Sequence, residues 1–479
     1  MNSYLAKLKE VPGASVALIC GQSQLTYTEL LSKVNQFSNW LLDKRVRSLA
    51  LLAQNSIEWV IVDLACQQAG ILLTPVPLFF SEDQVNRVLA SVKPDLILSD
   101  TKLGFTLTCI SSDLNLNVYQ LPQRVFADVP SQTAKVTYTS GSSGAPKGVC
   151  LSLNNQWCVA SSLVDVINIS CPKHLCLLPL PTLLENIAGV YSPLLAGGTV
   201  ILPSDDERGF SGSSLTQPHK LLACITRYQP TTLICVPELL QVLVSACSKG
   251  WSPPQSLTFI AVGGSKVSPR LLQKAKAFGL PVYQGYGLSE CASVVSLCNS
   301  LDDNRSCGAV LPHLSLEVIN EEIIVNGNAF LGYLEDRASW GIQRIETGDL
   351  GSLENGKLQI HGRRKNTIIT SYGRNVSPEW VEAELLATGA FIQAVVLGDA
   401  KPFCTAILVP ANPTASEKQL SAIVESVNIT LPDYARVQRP IILCSLMTPQ
   451  QGLYTDNMRP KRTQIHHHFL KKIEEVYSL

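Results

Sequence analysis

Six short apolar runs constrain this chain more than any other feature. They are "LALLAQ" (49–54), "DLILSD" (95–100), "HLCLLPL" (174–180), "TVILP" (199–203), "TTLICVP" (231–237) and "LTFIAVGG" (257–264), and helical stretches separate them. Each is strand-length and apolar on both faces, so each needs cover on both sides, which predicts parallel sheets between layers of helices: an α/β fold. The stretch "TYTELLSKVNQFSNWLL" (26–42) is one such covering helix. Thr26 and Glu29 form a capping box, and Leu30, Val34, Phe37 and Leu41 share one face. At 479 residues the chain is too long for one ordinary core.

The texture changes in "ETGDLGSLENGKLQIHGRRKN" (346–366), which is polar and punctuated by glycine. Beyond it a helix opens at Ser377 and Pro378, strands follow in "FIQAVVLG" (391–398) and "TAILVP" (405–410), a helix begins near Ser416, and a last strand is expected in "PIILCSL" (440–446). The expected division is therefore a large N-terminal α/β domain, 1–364, and a small α+β domain, 365–479. No internal repeat is seen.

Composition removes several function classes. Thirty-eight basic residues balance thirty-eight acidic ones, and no basic run stands out, so nucleic acid has no anchor here. Fifteen cysteines without a C-x-x-C pair, behind an N-terminus that lacks an apolar signal, fit reduced thiols and a cytoplasmic protein. The most apolar stretch, 59–80, is broken by Asp63, two glutamines and two prolines, so it is not expected to span a membrane. "HHHF" (466–469) and "CPKHLC" (171–176) lack the paired spacing of a structural zinc site, and His313 and His361 are expected at turns or on the surface.

Chemistry enters with "VTYTSGSSGAPKGVCLS" (136–152), where Ser, Thr and Gly surround a single lysine, Lys147. It is not the common G-x-x-x-x-G-K-[ST] loop, since Lys147 follows Pro146 and precedes Gly148. Hydroxyls and closely approachable backbone N–H groups of Thr139, Ser140, Gly141, Ser142, Ser143 and Gly144 suit β- and γ-phosphates, with Lys147 as a point charge. Three further segments follow in order: "YQGYGLSE" (283–290), "ETGDLG" (346–351) and "GRRKNTIITSYGRNVSPEWVE" (362–382).

Taken together, "YTSGSSGAPKGV", "YGLSE", "TGD" and the segment 362–382 resemble the adenylate-forming superfamily of acyl-CoA synthetases, luciferases and peptide-synthetase adenylation domains, from about residue 15 to residue 465. Ser143 and Ser289 stand where the family usually has threonine. The resemblance implies activation of a carboxylic acid by ATP and Mg²⁺, followed by transfer to the thiol of CoA. It implies that Tyr286 stacks on adenine and that Gln284, Gly285, Gly287 and the glycines of "VGGSKVS" (Gly263 and Gly264) line the base. Ser289 would touch the α-phosphate, Glu290 would hold the metal, and Asp349 with Arg363 would fix the ribose.

In the family a lysine in a late N-G-K-x-x-R segment swings in to the α-phosphate, and the C-terminal domain then turns about a hinge, here Lys365 by position. The matching segment is "TDNMRPKR" (455–462), which puts Arg459 at the lysine position and Lys461 two residues on. Either cation could serve, and Lys461 is slightly preferred. On the acid side, "PLPTLLENIAGVYSPLLAGG" (179–198) keeps Glu185 of the long-chain motif but has Thr182 and Asn186 in place of His and Arg. An apolar lining from Leu183, Leu184, Val190, residues 235–240, Cys291, Ala292 and Ser293 directs the expectation to a medium- or long-chain fatty acid. Loading of an acyl carrier protein instead of CoA, and an ATP-binding pseudoenzyme, are the alternatives.

Overall fold

The computed structural model describes residues 3–102, 108–110, 114–121, 126–140, 146–212, 214–299, 302 and 304–478. Each of the six apolar runs overlaps a strand. Val16–Cys20, Thr199–Ile201, Lys173–Leu175, Thr232–Cys235, Phe259–Val262 and Val282–Leu288 lie side by side in that order and run parallel. The parallel half ends at Val282–Leu288, because its neighbour Ser293–Leu297 returns antiparallel, and antiparallel strands out to Ser315–Ile319 continue the same sheet. The expectation of mostly parallel sheets thus gives way to mixed ones. A second sheet pairs Ser48–Leu52, Leu72–Pro75 and Leu96–Ser99 in parallel and adds Lys135–Ser140 with its antiparallel partner Pro146–Leu151.

Helix Tyr27–Asp43 begins with the expected capping box and buries Leu30, Val34, Phe37 and Leu41. Leu184–Tyr191 is a π-helix, wider than an α-helix by one residue per hydrogen-bonded turn and frequent where function bends a helix. It carries Glu185, which forms a buried polar pair with His174. At Gly189 a Cβ would lie 2.4 Å from Glu185 Oε1 and 2.7 Å from His174 Nε2, so only glycine fits.

Strand Lys357–Arg363 and a short turn at Arg364–Asn366 lead to a second set of cores. There, helices Pro378–Leu386 and Glu417–Asn428 pack around Phe391–Leu397 and Thr405–Pro410. The expected last strand shrinks to Ile441–Ile442, because Leu443 is the last residue to bond to the sheet before the chain turns off. The C-terminal portion docks on the rest through Gln84 Nε2 to Asp456 Oδ2 (2.7 Å), Ser268 Oγ to Glu384 Oε1 (3.1 Å) and Lys274 Nζ to the Ala387 carbonyl (3.2 Å). Among the described residues, no helix is long and apolar enough to cross a membrane.

Candidate active site

Parallel strands leave a crevice beyond their carboxyl ends, where the connecting turns diverge. Thr232–Cys235 and Phe259–Val262 end side by side there, Cys235 opposite Val262, and deliver Val236-Pro237-Glu238 and Gly263-Gly264 to one edge. Close packing accounts for the glycines. A Cβ on Gly263 would sit 3.0 Å from the Gly285 carbonyl oxygen, and Gly264 has a left-handed φ of +85°. At Gly287 a Cβ would come within 1.8 Å of the Ser293 carbonyl oxygen, so the tight return after "YGLSE" requires glycine.

Strand Val282–Leu288 carries Tyr286, whose hydroxyl donates to Asp349 Oδ2 at 2.7 Å. Burial first, and then the Asp349 charge, hold the phenol well above its usual pKa, so it stays a donor. Asp349 and Arg363 face each other across an antiparallel pair, and Arg363 Nε lies 2.7 Å from Asp349 Oδ1. Two motifs on consecutive strands, "TGD" and "GRRKN", are thereby joined to a third, "YGLSE", from much earlier in the chain. Gln284 is buried: its Nε2 donates to Cys307 Sγ at 3.2 Å, and its Oε1 has no partner among the described residues.

Glu290 lies in the turn Ser289–Cys291, ahead of Ala292 and Ser293 at φ +55° and +106°, values that side chains rarely adopt. Its Oε1 accepts the hydroxyl of Tyr333 at 2.7 Å, and no hydrogen bond reaches Oε2 among the described residues. The Tyr333 ring in turn carries Lys147 Nζ 5.0 Å from its centroid. Thr139 pairs with Lys147 and Ser140 with Pro146 across the hairpin. Gly141, Ser142, Ser143 and Gly144 lie outside the described residues.

The C-terminal segment 455–462 brings Arg459 to this crevice. Met458 N–H donates to the Thr455 carbonyl at 2.8 Å and Met458 takes φ +54° where the resemblance has glycine, so a tight turn throws Arg459 outward. Arg459 Nη2 donates to the Gly264 carbonyl at 2.9 Å. Lys461, two residues on, stands at the head of helix Arg462–His468, and Arg462 anchors the segment through a fork on Glu382 at 2.6 and 2.7 Å.

Positive charge gathers along the crevice. Lys365 is pushed below the usual lysine range, first by burial and then by Arg363, with Lys147 and Arg459 adding to it and Asp349 opposing. Lys365 thus feels three other cations, Arg363 from its own segment and Lys147 and Arg459 from two others, and Asp349 and Glu238 are among the acids that temper them. Like charges so arranged attract an anion of several charges.

The chain belongs to the AMP-binding enzyme family. It matches that family over residues 6–333 and the AMP-binding enzyme C-terminal domain over 365–479. Among curated relatives of this AMP-binding enzyme, the 2-succinylbenzoate–CoA ligase of Bacillus subtilis is 27% identical, with 83% of this chain and 84% of the relative covered. A long-chain-fatty-acid–CoA ligase of Mycobacterium bovis is 24% identical over 90% of this chain and 88% of its own. The fold is that of solved adenylate-forming ligases. The O-succinylbenzoate CoA synthetase of Bacillus subtilis bound to AMP superposes with a TM-score of 0.77 at 24% identity, covering 97% and 98% of the two chains. The anthranilate CoA ligase AuaEII with anthranoyl-AMP gives 0.80 at 16% identity, over 97% and 96%.

Within the acid-side segment 179–198, Glu185 and Asn186 belong to the core. Glu185 is fully buried: His174 Nε2 lies 2.9 Å from its Oε1 and the Leu178 N–H donates to Oε2 at 3.0 Å, so both oxygens are engaged within the core. Asn186 is buried too, donating to Asp63 Oδ2 at 2.9 Å and accepting from Lys135 Nζ at 2.6 Å. His174, Cys176 and Glu185 do bring donor atoms within 4.8 Å of one another. Both His174 nitrogens are already engaged, Nδ1 by Thr232 Oγ1 at 2.8 Å, and burial pushes the Cys176 thiol well up, so the cluster is a hydrogen-bonded core.

Proposed function

We propose that this chain is an ATP-dependent acid–CoA ligase that forms an acyl adenylate, with Arg459 as the cation at the α-phosphate. The observation that carries it is the convergence of Lys147, Arg363, Lys365 and Arg459 on the crevice that also holds Tyr286, Asp349 and Glu290. Attack by a carboxylate oxygen on the α-phosphorus brings two anions together and expels pyrophosphate, so charge must be neutralised and the reactants aligned.

In this reading the Tyr286 ring, fixed by its hydroxyl, stacks on adenine, and Gln284 Oε1 offers the base an acceptor. Asp349 keeps lone pairs for ribose hydroxyls after serving Tyr286 and Arg363, since a carboxylate has about four acceptor sites. Lys147 draws the outer phosphates. Magnesium fits Glu290, a single carboxylate with one free oxygen beside phosphate, and when bound it would neutralise charge on the leaving pyrophosphate. Lys365, in the short connecting turn, is the proposed pivot between residues 1–364 and 365–479, about which the second domain turns for thioester formation.

For the acid, relatives named for an aryl dicarboxylate and for long-chain fatty acids widen the expected fatty acid to a carboxylic acid with an alkyl or aryl body. Buried Leu183, Val190, Cys291 and Ala292 support an apolar wall. The test is acid-dependent exchange of labelled pyrophosphate into ATP over fatty, aryl and amino acids, followed by transfer to CoA or to a carrier-protein thiol. Exchange with an apolar acid and transfer to CoA are expected. ATP binding without exchange for any acid would make the chain a nucleotide-binding pseudoenzyme.

A further inference from the structure

Arg459 enters the crevice on a compact turn. Thr455 N–H donates to the Arg459 carbonyl at 2.8 Å, Arg459 N–H to Thr455 Oγ1 at 3.1 Å and Lys461 N–H to the Leu453 carbonyl at 2.8 Å, so residues 453–461 hold together as one unit. Side-chain bonds tie that unit to residues 1–364 at two places: Arg459 Nη2 donates to the Gly264 carbonyl at 2.9 Å, and Asp456 Oδ2 accepts from Gln84 Nε2 at 2.7 Å. The Gln84 end is preorganised. Gln84 is the third residue of helix Glu82–Val92, and in that helix's capping box its Oε1 accepts the Ser81 N–H at 2.9 Å. With the oxygen engaged there, the NH₂ group is the end left for a partner, and an ionised carboxylate, which only accepts, matches it. The same helix backs the hairpin that carries Lys147: Val88 and Val92 share a core with Tyr138 and Cys150, and the Ser91 and Tyr138 hydroxyls are hydrogen-bonded.

We propose that Gln84 is a positioning residue for the adenylation step, docking the 453–461 unit through Asp456 so that Arg459, three residues on, is held in the crevice. This rests on reading Arg459 as the adenylation cation. Gln84 and Asp456 lie on opposite sides of the pivot at Lys365 and are 372 residues apart in the chain. Turning of 365–479 for thioester formation parts them, so the contact serves the first step alone. In the sequence Gln84 reads as no more than a helix cap, because the amide's second end finds its partner only when the two portions dock.

Gln84→Glu in the full chain tests it, because glutamate serves the capping box as well as glutamine while its second oxygen meets Asp456 as a like charge. Acid-dependent pyrophosphate exchange should lose about tenfold in kcat, the scale of one hydrogen bond to a charged group, with little change in KM for ATP. Thioester formation from a supplied acyl adenylate should not fall. Adding Asp456→Asn reverses donor and acceptor across the same gap and should restore most of the exchange rate. In ligand-free protein, amide hydrogen exchange of residues 455–461 should quicken in Gln84→Glu and slow again in the double variant. An unchanged turn, a double variant no better than the single one, or an equal loss in an Arg459→Ala background overturns the positioning role. A turn that loosens and is restored, in a chain that exchanges pyrophosphate with no acid, would sustain the contact and reject the ligase reading.

Discussion

Tyr333 donates its hydroxyl to Glu290 Oε1 at 2.7 Å while its ring supports Lys147 Nζ at 5.0 Å, so one side chain joins the proposed metal carboxylate to the proposed phosphate lysine. Burial, and then Glu290, push that phenol far above its usual pKa, so it remains a donor throughout the working range. Tyr333→Phe removes the donor and keeps the ring. The Mg²⁺ concentration for half-maximal pyrophosphate exchange should rise about tenfold, as for loss of a partner that orients a ligand, with KM for ATP little changed. Tyr333→Leu should raise KM for ATP as well. Titration of both variants with Mg²⁺ and with ATP checks the separation.

Arg459→Ala should slow acid-dependent pyrophosphate exchange by about a hundredfold, the scale of one lost charge-stabilising donor, while Lys461→Ala stays near wild type. Thioester formation from a supplied acyl adenylate should survive both changes, because the proposed role of Arg459 belongs to the first step. The reverse order of the two variants in exchange would return the role to Lys461. Arg459→Lys should recover only part of the rate, since a planar fork and a compact ammonium reach a phosphate differently.

Much of this was legible in the chain because the signals were local. A strand that is apolar on both faces, the Thr26–Glu29 capping box and the motifs around Tyr286, Glu290 and Asp349 each depend on neighbours within a few residues. What escaped depends on the third dimension. Tyr333 bears no motif, yet pairing of its strand with Pro146–Leu151 brings it to Lys147. Glu185 stands in the sequence as the retained residue of the long-chain motif, and only the fold shows its carboxylate paired with His174 in the core. Arg459 comes directly after a left-handed turn at Met458, which the sequence does not announce, and its guanidinium bonds to the Gly264 carbonyl while Lys461 stands at the head of a helix.

Under the π-helix, Lys135 Nζ and Asp63 Oδ1 form a fully buried ion pair at 2.9 Å, with Tyr191 and Asn186 also donating to Asp63. Burial lowers the Lys135 pKa and the Asp63 charge opposes that fall. Removing one partner leaves an uncompensated charge, so Lys135→Met should destabilise the fold by about 3–5 kcal/mol. The double change Lys135→Met with Asp63→Leu should recover most of it. Urea unfolding of the single and double variants measures both, and a single variant as stable as wild type would contradict the pairing.

His313 supplies a pH dependence that can be worked out in sign. Its Nδ1 lies 2.7 Å from Ser162 Oγ, its Nε2 is buried without a partner among the described residues, and burial pulls its pKa down from the ordinary 6.5 to about 4. Between those values the unfolded chain binds a proton that the folded chain refuses. Stability from this group is therefore full above the ordinary value and is lost as pH falls toward 4. The protonated ring would also need an acceptor for a second N–H that the packing does not provide. His313→Gln cannot titrate, so the fall in urea midpoint between pH 7.5 and pH 5 should be smaller in the variant than in wild type. Groups common to both proteins cancel in that comparison, and an equal fall in the two would mean that the His313 ring takes up its proton in place.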